Sequence, residues 1–251
     1  MKLNNKRFTK VSNQEVDSRQ HHLNSPTTPW WRSWQVILAG TLGASLISVP
    51  IVLDYSVSRV IHFMVDDVSL SAAEQKQSLR IEHCQASFQN YKEGDFQVQV
   101  VFADQPEMLR EKKVTNVLML GNCNDVIATG ITVGQQRGTS LILVLEYIDD
   151  LIKSYRFKGS SEPIVVTISI DEAEPGPGQP LMDRNGLLRV KSLLESIAQE
   201  NGVVTIIGPT QELQRDLQKQ SIELTNTKIC TSNDVTDCVK SSFRSARQLA
   251  N

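Results

Sequence analysis

The sequence lacks both a strong charge imbalance and any paired-cysteine metal motif. Its 251 residues carry 26 Lys and Arg against 28 Asp and Glu, which gives a formal net charge of −2. This balance offers no electrostatic basis for binding nucleic acid. The four cysteines form no Cys-x-x-Cys pair, and the four histidines do not stand at zinc-ligand spacings. A zinc site is therefore not expected.

Signatures of common enzyme classes are missing as well. The chain has no Gly-x-Ser-x-Gly elbow and no Gly-rich phosphate loop ending in Lys-Ser or Lys-Thr. A haloacid-dehalogenase-like phosphohydrolase needs Asp-x-Asp after its first strand, and here the second carboxylate is replaced in Asp67-Val68-Ser69. The sequence predicts a protein that is not an enzyme, with a metal-dependent phosphohydrolase as a weaker alternative.

Residues 1–33 contain few aliphatic side chains and are predominantly polar. A segment that has so little to bury is predicted to be disordered. Its charge is one-sided, since only Glu15 and Asp17 are acidic. The basic residues are Lys2, Lys6, Arg7, Lys10, Arg19 and Arg32.

Residues 34–53 carry no charged side chain. A run of about 20 such residues is long enough to cross a bilayer as a helix. Trp30, Trp31 and Trp34 stand at its start, where indole rings favour the membrane interface, and Pro50 would bend the helix. The sequence therefore predicts a transmembrane helix over 34–54.

Three other interpretations of this run are open. It could be a buried core helix, although an uncharged run of this length is rare in soluble folds. It could be a cleaved signal peptide, but its apolar part is long and no Ala-x-Ala site follows. It could also be a hydrophobic helix that packs on the soluble domain.

Residues 59–251 alternate between strand-like and helix-like segments. Strands are predicted over 60–65, 95–103, 163–170, 203–207 and 227–230, and helices over 71–91, 139–155, 187–199, 210–223 and 235–249. The pattern within 108–133 is ambiguous. Alternation of this kind predicts an α/β fold with a doubly wound, mostly parallel sheet and helices on both faces.

The first predicted strand ends in Asp67-Val-Ser69-Leu-Ser71. Ser71-Ala-Ala-Glu74 fits a helix capping box, which explains Ser71 without any ligand. Two further features favour a metal site. Thr139 opens a predicted helix, and Asp171 ends the most apolar strand. Caps and loop residues are the simpler interpretation of each alone.

In a parallel sheet these three places can converge at the carboxyl edge of the strands. They would bring together two carboxylates and three hydroxyls, from Asp67, Ser69, Ser71, Thr139 and Asp171. Hard oxygen donors of this kind suit Mg²⁺ or Mn²⁺.

The chain resembles the von Willebrand factor type A domain over nearly everything after the apolar run. The resemblance rests on the strings MVDDVSLS, EGDFQVQVVFAD, RGTSLILVLE, VVTISIDEAEPG, NGVVTIIG and KICTSNDVTDCVKSSFRSA. It implies a Rossmann-like fold with a metal-ion-dependent adhesion site. Ser69, Ser71 and Thr139 would coordinate Mg²⁺ directly, and Asp67 and Asp171 would act largely through water.

The resemblance further implies a protein ligand whose acidic side chain occupies the open metal position. Two residues depart from the family pattern, since Leu70 stands where Gly is usual and Glu172 follows Asp171 where Gly is usual. A metal-free scaffold for membrane complex assembly is therefore the alternative.

The cysteines raise a separate question. Cys230 and Cys238 flank a short predicted turn, so they could form a disulfide or remain two thiols. Cys84 and Cys123 have no evident partner and are expected to be reduced.

The charges flanking the apolar run predict the orientation of the chain. Positively charged segments next to a transmembrane helix tend to remain on the cytoplasmic side of the membrane. Residues 1–33 should therefore be cytoplasmic, and the domain from Arg59 should be exoplasmic, either periplasmic or extracellular. Protease added to intact cells or right-side-out vesicles should then remove the domain and spare an N-terminal tag. Protection of the domain would reverse the assignment.

Overall fold

The computed structural model describes residues 58–69, 77–115, 123, 138–219 and 226–250. The predicted tail at 1–33, the predicted transmembrane segment at 34–54 and Ser71 lie outside these residues. None of the helices in the described ranges combines the length and apolar character needed to cross a bilayer.

The described strands form one six-stranded sheet in the order β3-β2-β1-β4-β5-β6. All neighbouring strands run parallel except β3, which is antiparallel to β2. The strands are β1 (Ile61–Asp67), β2 (Phe96–Phe102), β3 (Pro106–Lys113), β4 (Ile164–Ser169), β5 (Gly202–Ile207) and β6 (Thr227–Cys230).

Helices cover both faces of this sheet. They are α1 (Gln77–Asn90), α2 (Leu141–Phe157), α3 (Arg184–Gln199), α4 (Gln211–Lys219) and α5 (Val235–Leu249). Apolar residues of α2 and α3 form one core with one face of the strands, and those of α1 and α5 form a second core on the other face. The predicted doubly wound, mostly parallel fold is confirmed.

Strand β1 lies in the middle of the sheet and is buried along its whole length. Ile61 is paired with Phe96 of β2 and with Ile164 of β4, in register with both. The run of apolar residues that precedes Asp66 fits a strand that is covered on both faces.

The structure moves the start of one predicted helix and assigns its unchanged end at Gln199 to a different residue. Helix α3 begins three residues before the predicted Leu187, because the Asp183 side chain accepts a hydrogen bond from the Gly186 amide and caps it. At the other end Gly202 does not stop the helix. Asn201 takes the left-handed conformation, with φ of 56°, and Gly202 is the first residue of β5.

Strand β3 begins two residues before the segment that the sequence left ambiguous and ends within it. Its residues, PEMLREKK, do not alternate between apolar and polar, and none of them is fully buried. Such a composition is tolerated because β3 is an edge strand, paired only with β2. Pro106 stands at its first residue, where a missing amide donor costs least.

Two disulfides join the described cysteines. Cys230 and Cys238 are bridged across the turn between β6 and α5, so the disulfide holds and not the alternative of two thiols. The expectation that Cys84 and Cys123 are reduced is wrong, because they are bridged over a separation of 39 residues. Both side chains are buried against Met64 and Phe88, and the fold brings together positions whose spacing gave no sign of pairing.

We expect the longer bridge to stabilise the fold more than the shorter one. In the chain-entropy model the separations of 39 and 8 residues correspond to about 4 and about 2.5 kcal/mol. Paired Cys→Ser substitutions, followed by urea unfolding, should reproduce this order. Mass spectrometry after alkylation under denaturing, non-reducing conditions should find no labelled cysteine, and label on either pair would contradict its bridge.

Candidate metal site

Asp67 is the last residue of β1 and is 3% exposed. Its Oδ1 accepts a hydrogen bond from the Ser69 amide at 2.8 Å. The adjacent Val68 amide donates to the Phe102 carbonyl, which holds the turn against the end of β2. The Asp67 side chain is thus fixed where β1 ends, at the edge of the sheet formed by the carboxyl ends of the parallel strands.

Thr139 lies next to this carboxylate. Its Oγ1 donates to Asp67 Oδ2 at 3.5 Å, and its side chain is buried. The helix-cap interpretation of Thr139 is wrong, because Ser140 is the N-cap of α2 and accepts from the Leu143 amide at 3.3 Å. The Thr139 hydroxyl is therefore not used by the helix.

Asp171 follows β4 by two residues and is 6% exposed. Its Oδ1 accepts from the Glu172 amide at 2.8 Å, and its carbonyl accepts from the Thr210 amide at 2.7 Å. These bonds fix the residue between β4 and the start of α4. Glu172 is half-buried beside it.

The structure brings four of the five predicted site residues to one edge of the sheet, all of them buried, and the fifth, Ser71, lies outside the described residues. The four are Asp67, Ser69, Thr139 and Asp171. Among the described residues no cluster of three His, Cys, Asp or Glu could hold a metal. The site has two carboxylates, so hydroxyls would have to supply its other protein ligands.

The electrostatics of the site favour a positive charge. The pKa of Asp67 is raised from 3.8 to about 6, chiefly by burial and in smaller part by the negative charge of Asp171. Hydrogen bonds from the Ser69 amide and hydroxyl, together with the charge of Arg80, act in the opposite direction. A cation between the two carboxylates would offset the burial and the mutual repulsion of their charges.

A close approach of two loops sets the position of Thr139. The Thr139 amide donates to the Glu174 carbonyl at 2.7 Å. Gly138 has φ of 126°, and a Cβ on it would lie 2.6 Å from the Gly176 amide nitrogen. Next to this contact is an open cavity of about 450 Å³, lined by Asp104, Gln105, Leu143, Gly176, Pro177, Gly178, Gln179 and Pro180.

We expect Gly138→Ala to destabilise the fold more than Gly178→Ala. Both glycines have positive φ, which costs about 1–2 kcal/mol in a residue with a side chain. A Cβ at Gly178 meets nothing within 4 Å, so it adds no clash. A Cβ at Gly138 would push the two loops apart. Urea unfolding of both variants compares them, and equal losses would contradict the role of the close approach.

A buried chain of polar groups on the other face of β1 was not predicted. Its members are Tyr91, His62, Thr167, His83 and Asp66, all less than 6% exposed. The successive contacts measure 2.6, 2.7, 2.6 and 2.8 Å. The signal in the sequence was a histidine and an aspartate on one face of a strand that otherwise looks wholly apolar.

Each hydrogen bond of this buried polar chain has one donor and one acceptor when both imidazole rings are neutral. Tyr91 then donates to His62 Nδ1, and His62 Nε2–H donates to the Thr167 hydroxyl. Thr167 donates to His83 Nε2, and His83 Nδ1–H donates to Asp66. Burial lowers the pKa of His62 well below 6.5, and repulsion by a protonated His83 and by Arg247 acts in the same direction.

We expect His62 to make the fold less stable in acid. Because its pKa is lower in the folded than in the unfolded chain, the unfolded chain binds more protons below pH 6.5. Stability is then complete above 6.5 and is lost as the pH falls, by at most about 1.4 kcal/mol for each pH unit.

Urea unfolding at pH 7.5 and 5.5 should show a smaller loss in His62→Gln than in the unchanged protein. The raised pKa of Asp67 acts in the opposite direction, so the difference between the two proteins isolates His62. An unchanged pH dependence in the variant would contradict this assignment.

No protein-family model and no curated protein sequence matches the chain. Solved structures do. A von Willebrand factor type A protein from Catenulispora acidiphila aligns with a TM-score of 0.55 and 11% identity, over 76% of this chain and 43% of that one. An aerotolerance-related membrane protein from Bacteroides fragilis NCTC 9343 aligns with a TM-score of 0.50 and 13% identity, over 76% of this chain and 99% of that one.

These comparisons show the fold, which is that of a von Willebrand factor type A domain. The chain spans less than half the length of the first of these proteins. At this level of identity the likeness extends to the fold alone, and the residues of the site must carry any finer statement.

Proposed function

We propose that the protein is a membrane-anchored, Mg²⁺-dependent protein-binding module with a metal-ion-dependent adhesion site. The observation that carries this proposal is the convergence of Asp67, Ser69, Thr139 and Asp171, all buried, at the carboxyl edge of the sheet. Binding would need no chemical step, which accords with the absence of enzyme motifs in the sequence.

The donors present fit Mg²⁺ or Mn²⁺. All are hard oxygens, and such cations bind carboxylates, hydroxyls and waters. Ser69, Ser71 and Thr139 would be direct ligands, with Asp67 and Asp171 bound largely through water. Asp67 accepts hydrogen bonds from Ser69 and Thr139, and Asp171 accepts one from the Glu172 amide, so each carboxylate can hold a donor group or a water in place.

A partner's carboxylate would complete the coordination of the metal. The cavity beside Gly138 and Gly176 opens next to Thr139, so residues flanking that carboxylate could bind there. Glu172 is the specific observation that favours the alternative of a metal-free scaffold, because its charge stands beside Asp171 and could take the partner's place.

The proposed location is exoplasmic, with one N-terminal helix in the membrane. The two disulfides support it, because such bonds persist in oxidising compartments. One of the solved structures with the same fold belongs to a protein described as a membrane protein.

We expect calorimetry to detect Mn²⁺ binding that is lost in Asp67→Ala. Glu93→Ala is the matched control, because Glu93 is an exposed carboxylate in the turn before β2, at the opposite edge of the sheet. Equal heats in the unchanged protein and in Asp67→Ala would refute the metal site. If Ser71 is only a helix cap, Ser71→Ala should cost about 1 kcal/mol of stability and leave Mn²⁺ affinity unchanged.

Capture of partners from membranes tests the binding function itself. The tagged full chain, with and without Asp67→Ala, is incubated with solubilised membranes in Mg²⁺ or in a chelator. A partner that is retained only with Mg²⁺ and only by the unchanged chain supports the proposal. A partner retained equally under all conditions would support the metal-free scaffold.

A further inference from the structure

The edge of the sheet opposite the metal site carries a group of exposed basic residues. This edge is formed where β1, β2 and β4 begin and where β3 and helices α1, α2 and α5 end. We call it the basic edge. Its exposed cationic side chains are Arg59, Lys92, Lys113, Lys158, Lys240 and Arg244.

Several of these residues are held close together. Arg59 lies over the turn before β2, since a Cβ on Gly94 would be 2.7 Å from its Nε. Lys92 belongs to the same turn. It also lines an open cavity of about 320 Å³ with Lys240 and Arg244 of α5. Positive charge is thus concentrated where the chain enters the domain.

The acidic residues of this edge are mostly bonded within the domain. Asp95 is buried and binds Arg247 at 2.6 Å, and Glu200 binds Arg156 at 3.1 Å. Glu162 accepts from the Ser160 hydroxyl at 2.6 Å. Glu93 is exposed and opposes the basic residues. The outward-facing charge of the basic edge is therefore positive.

An exposed aromatic ring accompanies these charges. Phe157, the last residue of α2, is 94% exposed. Lys158 follows it, and the Lys158 ammonium lies 5.8 Å from the centre of the Tyr155 ring. Core packing does not require Phe157, and an aromatic ring exposed next to a lysine has the chemistry of a side chain that enters a membrane interface.

We propose that the basic edge docks on anionic phospholipid headgroups, with Phe157 inserted among them. Lysine and arginine side chains attract anionic headgroups, and the ring adds apolar contact. This inference rests on the membrane anchor of the proposed function. An anchor of that kind would keep the domain at the membrane surface, where the basic edge could meet the headgroups.

In this arrangement the two edges of the sheet bind different partners. The basic edge faces the lipid, and the metal site lies beyond the far ends of the strands. Seven residues of β1 rise about 23 Å, so the site is held away from the headgroups and faces incoming partners.

The test measures contact of residue 157 with lipid in the full chain. An environment-sensitive fluorophore is attached to Phe157→Cys, since the four native cysteines are in disulfides. The chain is reconstituted in vesicles of phosphatidylcholine alone or with one quarter phosphatidylglycerol, each containing brominated lipid as quencher. We expect strong quenching in the anionic vesicles and little in the neutral ones.

Two controls separate this contact from general effects. A probe at Leu181→Cys, which is 63% exposed near the metal-site edge, should remain unquenched. Lys92→Glu and Lys158→Glu should each weaken docking by more than about fivefold, the effect of losing one positive charge. Arg184→Glu with Arg215→Glu makes the same change in net charge on helices α3 and α4, and should leave the quenching unchanged.

Carbonate extraction of the same vesicles tests the anchor independently. Quenching at residue 157 in a chain that carbonate releases would support the docking face and reject the anchor. Quenching that is no stronger at 157 than at 181, or that ignores lipid charge and the lysine reversals, would overturn the proposal. The basic edge would then be assigned to an acidic protein partner.

Discussion

The central position of strand β1 is the constraint on which the other features depend. It is paired on both sides and buried on both faces, so each of its polar side chains must find a partner inside the protein. Asp66 and Asp67 are consecutive and therefore point to opposite faces. Asp66 closes the polar chain through His83 under α1, while Asp67 meets Ser69 and Thr139 at the start of α2. The candidate site and the polar chain thus both supply hydrogen-bond partners to a carboxylate that is buried at the end of β1.

This arrangement also connects the stability of the fold to the geometry of the site. The polar chain joins β1 to β4 through Thr167, two residues before the end of β4, and Asp171 follows that strand. Arg80 of α1 donates to the Asp67 carbonyl at 3.0 Å, which ties the helix to the same end of β1. The two aspartates are therefore held by bonds on both faces of the sheet, and the site is built on rigid elements.

Much of the fold could be predicted because its strands are short apolar runs separated by helical periodicity. Strand β6 and helix α5 have the predicted bounds. Strand β3 was not predicted, since an edge strand with PEMLREKK needs no apolar face. The placement of Asp67, Ser69, Thr139 and Asp171 at one edge could be predicted, because loops at the carboxyl ends of parallel strands meet there. Their role as metal ligands stays a prediction. The Cys84–Cys123 bridge and the His62–Thr167–His83 contacts depend on distances that only the tertiary fold sets.

The bridge between Cys84 and Cys123 encloses the whole of β2 and β3 in a covalent ring. A single cut anywhere between these cysteines would open the ring without releasing either fragment. The edge strand and its neighbour would remain tethered to α1, and their hydrogen bonds could reform. A cut in this part of the chain therefore leaves the domain covalently joined along the side of the sheet that ends in the edge strand β3.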